Sequence, residues 1–331
     1  MLTRSIIAFA LLAGTTSPVL AQQASPGQPG PQKPAAEEFG PQKPGTVLTA
    51  QPVAASPSAA GPTEKELELL AFGARLSQSV FAKEFFITVG FGAALVPSYE
   101  GSDQFVLFPV PVVRGSYKGY SFGARGPGLF VDLVKDPLFA KVEYIAGPVV
   151  QGRFDRNNRI RDAVVARLGN RDIALEVGAT GGVKINRIFD SFDSLTFQTD
   201  AVFDIAGAHS GAVVTPSVSY SKLLGGRGVV NLAVSGDIVD GDFADFYFSV
   251  DPAGSAASGL PVYRAGGGLK SLAATALVGL DLSGDALDGG WGVFILGSYS
   301  RLQGDIADSP VVAIRGDANQ YFGGMGLTYT F

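Results

Sequence analysis

The sequence predicts an all-β chain, an antiparallel transmembrane β-barrel of the bacterial outer membrane with about twelve strands and a disordered N-terminal tether. Three observations carry this expectation. The last twelve residues, 320–331 (QYFGGMGLTYTF), place Tyr321, Met325, Leu327, Tyr329 and Phe331 on one face and Gln320, Gly324, Gly326, Thr328 and Thr330 on the other. Period two is a strand with one apolar and one polar face, and Phe322 is the single intruder. Similar alternating segments recur along the chain, and the stretches joining them switch between short and long. Short periplasmic turns and longer external loops alternate in this way in membrane barrels.

Composition narrows the function classes. The chain has 331 residues, 17% charged and 46% hydrophobic, and no apolar run of 18 residues follows the N-terminus, which excludes a helical membrane protein. A net charge of −5 leaves no broad phosphate-binding face, so no nucleic acid is expected as partner. The absence of Cys removes disulfides, thiol catalysis, thiolate metal sites and a lipoprotein anchor, and nothing in the sequence implies a cofactor.

Residues 1–21 read as a secretory signal peptide, with Arg4 in the charged region, Ile6 to Ala13 as the apolar core and Val19-Leu20-Ala21 as the cleavage site. Residues 22–62, rich in Pro, Ala and Gln, carry the repeat GPQKP at 30–34 and 40–44 and are expected to form a disordered periplasmic tether. Residues 63–84 are expected to form a short helix and linker. Thr63 and Glu66 fit a capping box, and Leu67, Leu70 and Phe72 form a rough apolar stripe. The barrel is expected over 85–331. Strand segments start at Phe85, Phe105, Tyr120, Phe139, Ile173, Leu195, Val213, Val229, Leu269 and Trp291, and the terminal strand makes eleven. Single-chain bacterial barrels have even strand numbers, so the Gly-interrupted segment 120–134 is expected either to split at Arg125-Gly126-Pro127-Gly128 or to be partly loop, and twelve strands are expected, with ten as the fallback.

Within this frame several residues stand out. Tyr329 and Phe331, aromatics at the C-terminus, resemble the signal that such barrels present to their insertion machinery. Asp200, Asp204 and Asp237 are expected to face the lumen. Small inward residues beside them, such as Ser217, Ser219 and Ala233, leave room for a water-filled, weakly cation-preferring channel. Residues 153–172 hold six Arg against three Asp, and Arg153, Arg156, Arg159 and Arg161 are candidates for pairing with lipopolysaccharide phosphates in the outer leaflet. Pro109 and Pro111, two residues apart, remove two donors from one side of a strand. That marks a local bulge or a weak seam that docks a partner or loop. His209, the lone His, is expected in an exposed loop. Its neighbour Ser210 does not complete a catalytic pair, because adjacent strand residues diverge, so no enzyme is expected. Asp237, Asp240, Asp242 and Asp245 read as a solvated loop mouth rather than a calcium loop.

Three motifs in order carry a family resemblance. They are Pro97–Ser102 (PSYEGS) before Phe108–Val112 (FPVPV), then Phe248–Val250 (FSV) with Ser255–Tyr263 (SAASGLPVY), then Tyr299–Pro310 (YSRLQGDIADSP). Together they resemble the MipA/OmpV family of outer-membrane proteins over about 85–331. The resemblance implies an outer-membrane barrel acting as a scaffold between a lytic murein transglycosylase and a murein synthase. It implies no catalytic residues.

Overall fold

The computed structural model describes residues 62–137 and 140–331. The expected signal peptide, and the tether except for its last residue, lie outside the described residues. Twelve strands close an antiparallel barrel in sequence order. They are β1 Phe85–Pro97, β2 Phe105–Tyr117, β3 Tyr120–Arg125, β4 Gly128–Asp132, β5 Val142–Arg153, β6 Ala174–Asn186, β7 Asp193–Asp204, β8 Ala212–Leu224, β9 Gly228–Val239, β10 Gly268–Asp281, β11 Gly290–Leu302 and β12 Asn319–Thr330. The segment 120–134 does split at Gly126-Pro127, into β3 and β4, which settles the even count.

Closure follows from the alternation. β12 pairs with β1 in the register Phe91↔Leu327 and Ala93↔Met325, so those side chains point outward together. On the inner face of the same seam the Thr88 and Thr330 hydroxyls meet at 2.8 Å. The two strands approach so closely that a Cβ added at Gly92 would stand 2.5 Å from the Met325 carbonyl oxygen. Phe322 faces inward and packs beside Phe294, Leu277 and Leu296 in the barrel interior. This explains the intruder of the terminal pattern.

Outward positions form a continuous apolar belt, with Phe91, Leu107, Ile295 and Met325 each more than 60% exposed. At the end carrying the short turns, Trp291 stacks edge-on against Tyr329 at 5.2 Å, and Tyr329 against Phe331 at 4.6 Å. At the other end Tyr299 lies 5.4 Å from Tyr321. An apolar band flanked by aromatic girdles is the surface a barrel presents to a bilayer.

The prolines do not form the expected bulge. The β1·β2 register runs unbroken through Phe91↔Pro111 and Ala93↔Pro109, so there is no bulge there. β3 pairs only with Arg114–Tyr117 of β2, and β4 meets β5 only at Gly128↔Gln151, Leu129↔Val150 and Phe130↔Val149. The β3–β4 hairpin reaches the loop end of β5, where the Gly152 amide donates to the Pro127 carbonyl at 3.1 Å, but pairs with β2 only as far as Arg114, so Phe105–Val113 of β2 forms an open edge. Strand prolines belong on such an edge, where no ladder donor is lost.

The loop end is not an open mouth. The connections fold into short helices, α2 Ala163–Ala166, α3 Gly241–Phe248, α4 Pro252–Ser258, α5 Gly304–Asp308 and α6 Pro310–Ala313. Numbering here leaves α1 for the helix Glu64–Ser77 at the turn end. Asp240 is exposed, as the solvated-loop reading expects, and its carboxylate also caps α3 at the Phe243 amide, 3.0 Å away, and accepts from the Ala212 amide at 2.7 Å. Asp251 caps α4 at the Gly254 amide, and Gly259, at φ +79°, ends it in the left-handed conformation.

Candidate functional site

Three features converge on function: a plug across the loop end, an ion-pair network beneath it, and a helix on the rim of the turn end. The plug is built from α3. Its Phe243, Ala244, Tyr247 and Phe248 are buried and pack on the inward side chains Val149, Val202, Val213 and Val239 of the strands. Above, Tyr99, Val165, Val250, Leu260 and Val311 gather the loops 98–104, 154–173, 240–267 and 303–318 into a second apolar cluster. The Tyr99 hydroxyl donates to the Arg315 carbonyl at 2.9 Å, and burial raises its pKa. Arg315 and Asp162 bridge two of these loops at 2.6 Å. Burial works against the Asp162 carboxylate, but the Arg315 hydrogen bond and the Val164 and Val165 amides outweigh it and hold its pKa below the ordinary value. Gly316 belongs to the same closure, since a Cβ there would stand 1.7 Å from the Gly101 carbonyl oxygen.

Beneath the aromatic layer lie two buried ionic groups. Glu176 accepts from Arg153 Nε at 2.8 Å, from Arg153 Nη2 at 3.0 Å and from the Gln151 side-chain amide. His209 Nε2 completes the set at 3.0 Å. Across the lumen Lys270, fully buried, contacts Glu100 at 2.5 Å and Asp237 at 3.2 Å. Burial pulls the Glu100 pKa upward, but the Lys270 ammonium overrides it and the net direction is down. Arg153 and Lys270 also stand over the Phe243 ring, at 4.9 and 5.4 Å. α3 is thus fastened to both ionic groups through one aromatic ring.

The sequence-predicted residues distribute as follows. Arg153 is committed to Glu176, and Arg156 is buried with its Nη1 donating to the Tyr247 carbonyl at 2.6 Å. Neither reaches the lipid surface, which corrects the expectation for these two. Burial and the like charge of Arg171 push the Arg156 guanidinium down to about 10. Arg159 and Arg161 remain exposed, and Arg159 lies over the Phe108 ring at 4.6 Å. Asp204 turns its carboxylate to the amides of Ala206, His209 and Ser210, and Asp237 accepts from the Thr215 hydroxyl as well as Lys270. Asp200 faces inward and accepts from the Gln198 side chain at 3.1 Å. Tyr329 and Phe331 lie on the outer rim of the turn end.

His209 is buried rather than exposed, and it does have a carboxylate partner. Its Nδ1 accepts from the Gly211 amide at 3.0 Å, so the hydrogen is on Nε2 and is donated to Glu176. Both ring nitrogens are thereby occupied, and no nitrogen is left to take a proton from a nucleophile. The sequence misplaced this residue because its carboxylate lies 33 positions away, on β6.

At the opposite end, α1 opens with the reciprocal Thr63–Glu66 capping box. Phe72 packs edge-on against Phe192 at 4.5 Å, Arg75 pairs with Asp285 at 2.8 Å, and just beyond the helix the Val80 amide donates to the Leu287 carbonyl at 3.1 Å. These contacts tie α1 to the turns 187–192 and 282–289. Leu67, Leu70, Ala71 and Ala74, spaced as one helical face, stay exposed.

Comparisons with known proteins fit this architecture. Solved structures with a similar arrangement include OmpT, an outer membrane protein of Vibrio cholerae, at 7% identity and a TM-score of 0.34, covering 75% of this chain and 96% of that one. The outer membrane channel DcaP of Acinetobacter baumannii gives 9% identity and a TM-score of 0.34 over the same shares, 75% and 96%. No curated protein matches the chain. The family model described as MltA-interacting protein MipA matches residues 89–331. With its lipid-facing belt and closed barrel, the chain is an outer-membrane protein and belongs to the MipA family.

Proposed function

We propose that this barrel is a non-enzymatic scaffold that assists assembly of periplasmic murein-remodelling enzymes, a lytic transglycosylase with a murein synthase. The observation that carries this reading is the exposed apolar face of α1, with Leu67 and Leu70 at 52% and 66% exposure, held at the periplasmic rim. A soluble-side helix that leaves leucines unburied while its other face is fastened to the rim is built to be covered by another protein. The family description, MltA-interacting protein, supports the same kind of partner. The plug of α3 over the lumen further supports a barrel whose work is not transport.

The alternative is a small-solute channel, weakly cation-preferring. It is supported by the small inward residues Ser217, Ser219, Ala233 and Ser235 below the plug, with Asp200 nearby. Partner capture from native envelopes separates the readings. The full chain, a form lacking residues 22–62, and Leu67→Glu/Leu70→Glu are compared. Murein enzymes retained by the first two and lost from the third place the docking surface on α1. Enzymes retained only by the full chain make the Pro-rich segment the working part, and none with any form favours the channel.

A further inference from the structure

The short β3–β4 hairpin leaves the barrel wall incomplete. Beyond its tip the unpaired edge of β2 faces the segment 152–159 that leaves the loop end of β5. A cavity of about 490 Å³ occupies this gap, within the range of a small-ligand site. Its lining is overwhelmingly apolar. Pro109, Pro111 and Leu129 form its membrane side, while Val106, Phe108 and Val110 carry it inward to the packed interior.

Such an opening in the hydrocarbon region is costly unless the backbone edge is managed, because lipid satisfies no N–H group. The edge is managed here. With the β1·β2 ladder continuous through both residues, Pro109 and Pro111 present their nitrogens to the gap and remove two donors from it. The same substitution prevents another strand from adding to the edge. At the loop end of the cavity the exposed Arg159 stacks on Phe108, with no acidic partner among the described residues. The other charged groups at the cavity are already engaged. Arg153 is bound to Glu176, and Asp155 accepts from the Glu100 amide at 2.7 Å through one oxygen while the other is buried without a partner among the described residues, its pKa raised by burial and then by the Glu100 charge.

We propose that this wall notch is a binding site for an acyl chain of a phosphorylated outer-leaflet lipid of the lipid A type, the chain entering between the β2 edge and the segment 152–159 and Arg159 pairing with its phosphate. The occupant follows from position and charge. The notch is bordered by the membrane-facing Pro109, Pro111 and Leu129, it lies in the half of the wall nearest the external loops, and the exposed charge at its loop end, Arg159, is cationic.

The test uses the full chain folded in detergent micelles, incubated with purified lipid A and released for native mass spectrometry. The wild type is expected to retain one lipid A per barrel. Ala124→Trp, which fills the floor of the notch, and Arg159→Gln are each expected to reduce retention by roughly tenfold, equivalent to about 1.4 kcal/mol. Arg301→Gln, an exposed arginine on β11, is the control and is expected to bind as wild type does. Unchanged thermal midpoints show that the variants fold. Equal retention by all forms overturns the proposal. So does loss with Arg159→Gln alone, which would describe a surface ion pair without chain insertion.

Discussion

Lys270 shows how strongly single residues matter in this barrel. Its ammonium is fully buried and is shared by Glu100 and Asp237. Removing one member of a buried ionic group leaves the others desolvated and uncompensated. Lys270→Met is therefore expected to lower unfolding stability by about 3–5 kcal/mol, read from a urea transition in micelles. Lys270→Met/Glu100→Gln should recover part of that loss, and a double variant no more stable than the single one would remove this account. The residue scale is also where local sequence was most misleading. His209 reads as a loop residue, and its burial depends on Glu176 of a neighbouring strand. Arg153 and Arg156 read as part of a solvated basic loop, yet one is consumed by Glu176 and the other by the Tyr247 carbonyl. Four arginines of one segment look alike in sequence and divide evenly between interior and surface.

Elements were far more legible. Alternation alone locates most strands, because a wall with lipid outside and polar groups inside imposes period two on every crossing. The split at Gly126-Pro127 was legible too, since Pro and Gly end a ladder. How far the resulting hairpin reaches was not, because strand length is set by pairing with β2 and β5. The helices of the external loops were missed for a related reason. α2, α5 and α6 have only four or five residues, too short for helical periodicity to register. Their stability comes from packing on one another and from links such as Asp162–Arg315. Because the folded Asp162 pKa lies below its unfolded value of about 3.9, the stability it contributes is present above that pH. It is lost as the pH falls through the folded value. Hydrogen exchange of residues 162–168 is expected to quicken severalfold when the pH is lowered from about 5 to about 2. Arg315→Gln should exchange faster already at pH 5 and respond less to acid. Identical profiles in the two proteins would show that this pair does not hold the loops.

At the scale of the whole molecule, the barrel joins a closed outer end to a decorated inner rim. α3 lies across the lumen with Phe243 and Tyr247 buried, and both Arg153 and Lys270 stand over the Phe243 ring. Purified barrel in a planar bilayer is accordingly expected to be silent, and a form lacking residues 243–264 is expected to show stable conductance steps. Steps from the intact chain would instead favour the channel reading.

While the choice of twelve strands over ten came from the structure, the sequence by itself determined the class of fold, the antiparallel order of the crossings, the lipid-facing belt and the family. Each of these is carried by patterns within a few neighbouring residues, because the bilayer acts on every strand independently and in the same way. Tertiary structure alone decided that the outer loops form a plug, that Lys270 engages Glu100 and Asp237 while Arg153 engages Glu176, and that the wall is notched beside Pro109 and Pro111. Those outcomes depend on contacts between segments tens to more than a hundred residues apart. Glu100 and Lys270, 170 positions from each other, become partners only once the barrel has closed.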